Sequence, residues 1–431
     1  MRYDGSSRFS PDSRWGLFPS FSAGWRISEE EFMKDIDWLS NLKLRASWGK
    51  LGNNSIGNYE WQALYGSGYN YAFNSNKSNG LAMTTFSNYA LEWEETAITN
   101  IGLDFGVLNN RLNGTIEVYD KKTDGILYRP TLPESLNQFT SPLQNLAGVN
   151  NKGLEITLGW NDRVGDISYS VSGNFTYNKN KVTKYKGELV REWRTDANGK
   201  KVWYQNVGTV ANGSSNLIVE GHEMNEYYMM NPYKGNGSYF NSDGTVNING
   251  GPKDGMIRTE ADMKWLQAMF DAGYKFYPNQ AIGKDKIWYG DMIYADYNGD
   301  GIYGNDDDRD FQGVSWRPKY YFGLQASMTW KGFDLSMNWA GAAGFKIDYY
   351  KQTQNSVSVT HGYGLGYDIA YDHYFFDPEN PNDPRTNIYS ETPRLVGYQN
   401  SGQASATSSW HLKNGNYIKL KNLTIGYTFP K

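Results

Sequence analysis

The stretch DYNGDGIYGNDDD, residues 296–308, has residue types and spacing suited to chemistry. Asp296, Asn298 and Asp300 alternate, Gly301 follows, and Asp307 closes a run of twelve. Oxygen ligands at positions 1, 3 and 5, a glycine at 6 and a carboxylate at 12 are the spacing of a calcium loop. The expected Ca²⁺ ligands are the side chains of Asp296, Asn298, Asp300 and Asp307, with the Ile302 carbonyl. Aspartate replaces the usual glutamate at position 12, so the shorter arm weakens the site. With no good helix pair beside the loop, the expected role is a structural clip, and the competing reading is an acidic solvated turn.

Other chemistry finds little support. Cysteine is absent, which excludes disulfides, thiolate metal sites and a cysteine nucleophile. The histidines, His222, His361, His373 and His411, fall in no catalytic pattern and read as solvated loop residues. No enzyme activity is expected. A net charge of -4 offers no basic field for nucleic acid. The 16% aromatic content is high, with 34 Tyr and 15 Trp. Loop aromatics such as Tyr227, Tyr228, Tyr233, Tyr239 and Trp265 read equally as ligand-stacking or as packing residues.

The elements that must position the loop are strands. In GLEITLGWN, Leu154, Ile156, Leu158 and Trp160 alternate with Glu155, Thr157, Gly159 and Asn161. DISYSVSGNFTYN repeats the pattern, as do NLKLRASWG, NIGLDFGVLNNRLNGTIEVYD, YFGLQASMTWKGFDLSMNW and LTIGYTF. Period two over such lengths is a β-strand with one apolar face. About ten to twelve strands are expected, most of about ten residues or more. TEADMKWLQAMF (259–270) is the one good helix, started by Thr259 and Asp262. It lies in a long insertion at about 229–316 that also holds the Asp296 loop; other long connections run at about 186–214 and 351–414. Strands near ten residues, short turns alternating with long loops, and aromatic residues beside the turns favour a transmembrane barrel over a soluble sandwich. The apolar rows are then expected to face lipid and the Ser/Thr/Asn/Gly rows a wet lumen.

Longer phrases carry a family resemblance. RWGLFPSFSAGWRISEEEF, LKLRASWGKLGN, LEWEETAITNIGLDFGVLNNRLNGTIEVYDKKTDGIL, NNKGLEITLGW, ADYNGDGIYGNDDDRDFQG and NYIKLKNLTIGYTFPK occur in order along nearly the whole chain. Together they resemble the barrel of SusC-like (SusC/RagA) TonB-dependent transporters. The resemblance implies an all-β fold, an antiparallel transmembrane β-barrel segment of a receptor with about 22 strands. It implies the outer membrane of Bacteroidetes-type bacteria and import of oligosaccharides or peptides. A SusD-like surface lipoprotein is the implied lid, and the TonB complex acts through a plug. No signal peptide, TonB box or plug is recognised, so residues 1–431 are expected to be an internal part of such a barrel, with open edges near residues 14–27 and 416–429. The alternative is a secreted, calcium-stapled β-protein that binds glycans at a cell surface.

Overall fold

A computed structural model describes residues 1–130, 135, 139–212, 215–349, 366–395, 403 and 406–430. Nine long strands form one antiparallel sheet. They are β1 Ser20–Arg26, β2 Leu39–Asn53, β3 Glu94–Val107, β4 Leu112–Tyr128, β5 Gln144–Val164, β6 Ile167–Lys184, β7 Tyr320–Trp330, β8 Phe333–Ala343 and β9 Tyr417–Tyr427. Each strand pairs with its neighbour in sequence, so the order is a simple meander from β1 to β9. Among the described residues the sheet has nine strands, fewer than the ten to twelve expected, and the short strands form separate small sheets. Its outer strands, β1 and β9, lie where open edges were expected and do not pair with each other.

Meander topology sorts the connections. Leu108–Arg111, Gly165–Asp166 and Lys331–Gly332 close hairpins at one end, where the 27–38 segment also lies. Lys331 (φ 45°) and Gly332 (φ 87°) supply the left-handed pair that a two-residue hairpin requires. The connections 54–93, 129–143, 185–319 and 344–416 all emerge at the opposite end.

The register builds continuous rows. Trp25, Leu44, Leu103, Ile116, Ile156, Phe175 and Phe322 lie side by side on one face. A parallel row runs through Phe105, Gly114, Leu158, Gly173, Leu324 and Trp339. These side chains are exposed or half-buried, and among the described residues no second sheet covers them; Leu158 and Leu324 each keep 44% of their surface. That excludes a sandwich, whose inner faces must meet. Aromatic rows bound the band. At the short-turn end Trp330 and Phe333 stack at 6.3 Å, and Phe333 meets Tyr427 at 4.5 Å. At the long-loop end Tyr177 and Tyr320 stack at 5.2 Å, and Phe21 and Trp48 at 6.0 Å. Ten residues separate Tyr320 from Trp330, about 33 Å along a strand. At the usual barrel tilt of about 40° that spans about 25 Å, the height of an outer-membrane apolar band.

The buried core lies elsewhere. Segments of the 185–319 and 366–412 connections fold together above the sheet. The expected helix, α1 Glu260–Asp271, begins at a capping box in which Thr259 and Asp262 satisfy each other's backbone N–H groups. It buries Trp265, Leu266 and Met269 against Tyr233, Ile257, Phe276, Ile287, Ile293 and Tyr303. Trp265 is fully enclosed, and its Nε1 donates to the Asn247 carbonyl at 2.8 Å. A second cluster joins Met230, Met256, Tyr289, Met292, Tyr294 and Tyr374.

Candidate functional site

Two surfaces could serve function: the polar face of the sheet and the loop domain at its long-loop end. On the polar face, Lys43, Asp104, Thr115, Thr157 and Asn174 form one row. Arg45, Gly102, Glu117, Glu155 and Thr176 form the next. The Arg45 guanidinium crosses Gly102, where a Cβ would sit 2.6 Å from its Cζ. It thereby reaches Asp104 at 3.2 Å and also Glu117. Gly153 makes the same room for the Tyr119 ring, whose hydroxyl donates to Asn178 Oδ1 at 3.1 Å. Nearer the short turns, Ser170, Ser172, Gln325, Ser327, Ser336, Asn338 and Asn422 line a shallow cleft of about 230 Å³. Such a face suits contact with water rather than with lipid.

The loop domain lands on this same face. Val182, Ala147 and Tyr185 pack with Ile126, Tyr128, Ile218 and Met224. The Val182 N–H donates to the His222 carbonyl and the Gly221 N–H to the Val182 carbonyl, both at 2.9 Å. The domain therefore overhangs the lumen side of the wall.

Within that domain the Asp296 loop wraps on itself. Asp296 accepts the N–H groups of Gly299 (2.6 Å), Asp300 (3.2 Å) and Gly301 (2.9 Å). Asn298 Oδ1 accepts from Asp300 N at 3.0 Å, and Asp300 Oδ1 from Ile302 N at 2.7 Å. Asn298 Nδ2 also donates to Asp300 Oδ2 at 3.3 Å. Asp296, Asn298, Asp300 and Ile302 are thus gathered in one turn. Asp307 points to another partner, since its Oδ1 accepts from Gln205 Nε2. Among the described residues, no three His, Cys, Asp or Glu side chains are grouped to hold a metal ion. Burial pushes the Asp307 carboxyl up, Gln205 pulls it down, and Asp300 and Asp306 add to the rise.

A hairpin made of Arg191–Thr195 and Lys201–Gln205 straps the loop from one side. Trp193 Nε1 donates to the Asn298 carbonyl at 3.0 Å. Arg191 bonds Asp310 at 2.9 Å and lies 4.6 Å from the Tyr297 ring centre. The spacing of calcium ligands did not single out Asp308, the most buried acid of the stretch. It accepts N–H bonds from Tyr297 (2.7 Å), Gly304 (2.7 Å) and Asn305 (3.1 Å). Burial pushes its carboxyl up to about 7, against the pull of those donors. The signal was present as Asn305-x-x-Asp308, a capping-box spacing.

The loop aromatics resolve to packing, the second of their two readings, and one histidine reading is corrected. Tyr227, Tyr228, Tyr233 and Trp265 are buried in the domain's packing, so they offer no surface for stacking a ligand; Tyr239 is half-buried with its hydroxyl on Asp262. His411 is buried and not solvated, and burial lowers its imidazole to about 4. His222 stacks on Phe311 and bonds Glu226 at 3.1 Å, and His373 bonds the Ile369 carbonyl at 3.0 Å. His361 lies outside the described residues.

One apolar face against lipid and one polar face against a lumen define the wall of an outer-membrane β-barrel. A family model described as TonB dependent receptor-like, beta-barrel, matches residues 1–207. The TonB-dependent receptor SusC of Bacteroides thetaiotaomicron is 29% identical over 434 residues, covering 100% of this chain and 36% of that protein. The TonB-dependent receptor P39 of Formosa agariphila is 29% identical over 462 residues, covering 100% of this chain and 38% of the relative. The solved RagAB peptide importer in its closed-closed state superposes with a TM-score of 0.67 at 22% identity, over 99% of this chain and 38% of that one. Over its whole length the chain is similar to SusC-like TonB-dependent receptors, and residues 1–207 match the receptor barrel model, in keeping with an outer-membrane sheet. It spans little more than a third of the length of these relatives.

Proposed function

We infer that the chain forms part of an outer-membrane TonB-dependent importer of oligosaccharides or peptides and catalyses no reaction itself. The observation that carries this reading is the two-faced sheet. A continuous apolar band suits lipid, and the Arg45–Asp104–Glu117 network with its serine-lined cleft suits a wet lumen. The loop domain above the lumen side suits contact with a SusD-like surface lipoprotein as lid. Energy would come from the TonB complex acting on the plug of the full-length protein. The test is uptake by the parent bacterium. Deleting the gene should abolish growth on one class of oligosaccharide or peptide, inactivating TonB should do the same, and affinity purification should recover a surface lipoprotein. Undiminished uptake of every such nutrient would contradict the reading.

The Asp296 loop fits calcium in donor type, since Asp296, Asn298, Asp300 and the Ile302 carbonyl are all oxygen donors in one turn. We propose that Ca²⁺ there acts as a structural clip, with Asp307 joining when it leaves Gln205. Calorimetry at millimolar Ca²⁺ should give a binding heat that Asp296→Ala removes. No heat from the intact protein would refute it.

A further inference from the structure

The rows just above the long-loop aromatic girdle carry an asymmetry of charge. On the lipid-facing side, the row after Tyr177 contains Trp48, Thr99, Asp120, Lys152 and Lys179. The next contains Lys50, Ala97, Lys122, Asn150 and Lys181. Glu95 and Asp124 follow in the row beyond. Within these rows the five lysines Lys50, Lys122, Lys152, Lys179 and Lys181 stand with three carboxylates, Glu95, Asp120 and Asp124, and Lys181 also borders a loop pocket that holds Glu188 and Glu220. Lys50 is held by Glu95 at 2.7 Å and Lys152 by Asp120 at 3.3 Å. Lys122, Lys179 and Lys181 are exposed and, among the described residues, have no ion-pair partner. The opposite rim differs. There Arg111 beside Trp160 is paired with Asp162 at 3.2 Å, and Lys331 beside Trp330 with Asp166 at 3.5 Å.

Depth gives the lysines a partner. Lys179 and Lys181 lie two and four residues beyond Tyr177, about 7 and 13 Å along the strand. With a tilt of about 40° they stand about 5 to 10 Å above the apolar band, the level of lipid headgroups. A lipid there has its chains against the Leu154 and Val118 row and its headgroup among unpaired ammonium groups. Ammonium groups at a membrane interface attract anionic headgroups. We propose that Lys122, Lys179 and Lys181 form a docking site for a phosphorylated lipid of the outer leaflet. The assignment to that leaflet rests on the importer orientation, with the long-loop end facing outward.

The test uses the full-length receptor, purified in zwitterionic detergent and supplied with phosphorylated lipid A, its dephosphorylated form or phosphatidylcholine, and read by native mass spectrometry. The intact protein should retain phosphorylated lipid A at least about tenfold better than the other two, and added salt should weaken that retention. Lys122→Gln/Lys179→Gln/Lys181→Gln should lose the preference, the triple Lys→Arg variant should keep it, and Lys331→Gln should leave it unchanged. Heat-modifiable gel migration separates loss of the site from loss of the folded barrel. A folded triple Gln variant that still prefers the phosphorylated lipid would overturn the proposal, and so would equal retention of all three lipids by the intact protein. Failure of the receptor to fold in detergent or take up any lipid would instead overturn the membrane reading beneath it.

Discussion

The nine-stranded sheet and the domain above it use the same apolar residue types in opposite directions. The sheet turns Leu158, Leu324 and Ile425 outward, where acyl chains replace the missing protein neighbours. The domain encloses Trp265, Ile257 and Ile293 completely, because around it the solvent is water. Sheet order comes from backbone hydrogen bonds along strands of up to 21 residues. Domain order comes from one packed core, one capped helix and side-chain bonds such as Trp193 to Asn298. Apolar side chains are therefore worth burying in one half and worth showing in the other, so equal mutations in the two halves should have unequal effects.

The largest expected effect is Trp265→Ala. Truncating an enclosed tryptophan costs about 3–5 kcal/mol. The domain should become protease-sensitive while the sheet keeps its heat-modifiable migration. Leu158→Ala should change unfolding far less, because lipid is as apolar as the lost side chain. Next comes a charge on the band. Leu324→Arg near the middle of the lipid face should cost about 2–4 kcal/mol, and its neighbour Gln325→Arg on the lumen face should be nearly neutral. Denaturant titration in vesicles checks both. A smaller effect follows from His411, which burial lowers to about 4. An unfolded histidine titrates near 6.5, so below that pH the unfolded chain takes up a proton that the fold refuses. The stability is full above about pH 6.5 and is lost as pH falls towards 4, about 2 kcal/mol by pH 5. Hydrogen exchange in the 406–414 segment should speed up between pH 7 and 5, and His411→Gln should flatten the response. The smallest effect is Thr259→Ala, which removes the α1 cap for about 1 kcal/mol and should be seen as faster exchange in the first turn of the helix.

The sheet was legible because its signal is local. Alternation in residues 154–160 and the turn at Lys331–Gly332 fix faces and register without knowledge of any distant residue. The helix was legible for the same reason, since Thr259 and Asp262 are three residues apart. The strand number was overread: among the described residues nine strands join the sheet, and short ones such as Arg191–Thr195 pair only within the loops. The domain's core was illegible. Trp265 meets Tyr233 and Phe276 through folding of a glycine- and asparagine-rich chain that has no period. The candidate calcium ligands showed a similar limit: spacing placed Asp296, Asn298 and Asp300 in one turn, but Asp307 answers to Gln205, about a hundred residues earlier.

Which face of the sheet meets lipid decides what the wall can do. Single cysteines at residues 154–159 can be spin-labelled one at a time in the bilayer-inserted receptor cleared of other cysteines, and residues 1–431 carry none of their own. Oxygen, which dissolves in lipid, should relax labels at Leu154, Ile156 and Leu158, and a water-soluble nickel chelate should relax those at Glu155, Thr157 and Gly159. A strict alternation in that phase is the predicted result. An alternation in the opposite phase, or uniform access of the nickel chelate to all six positions, would contradict the assignment of the apolar face to lipid.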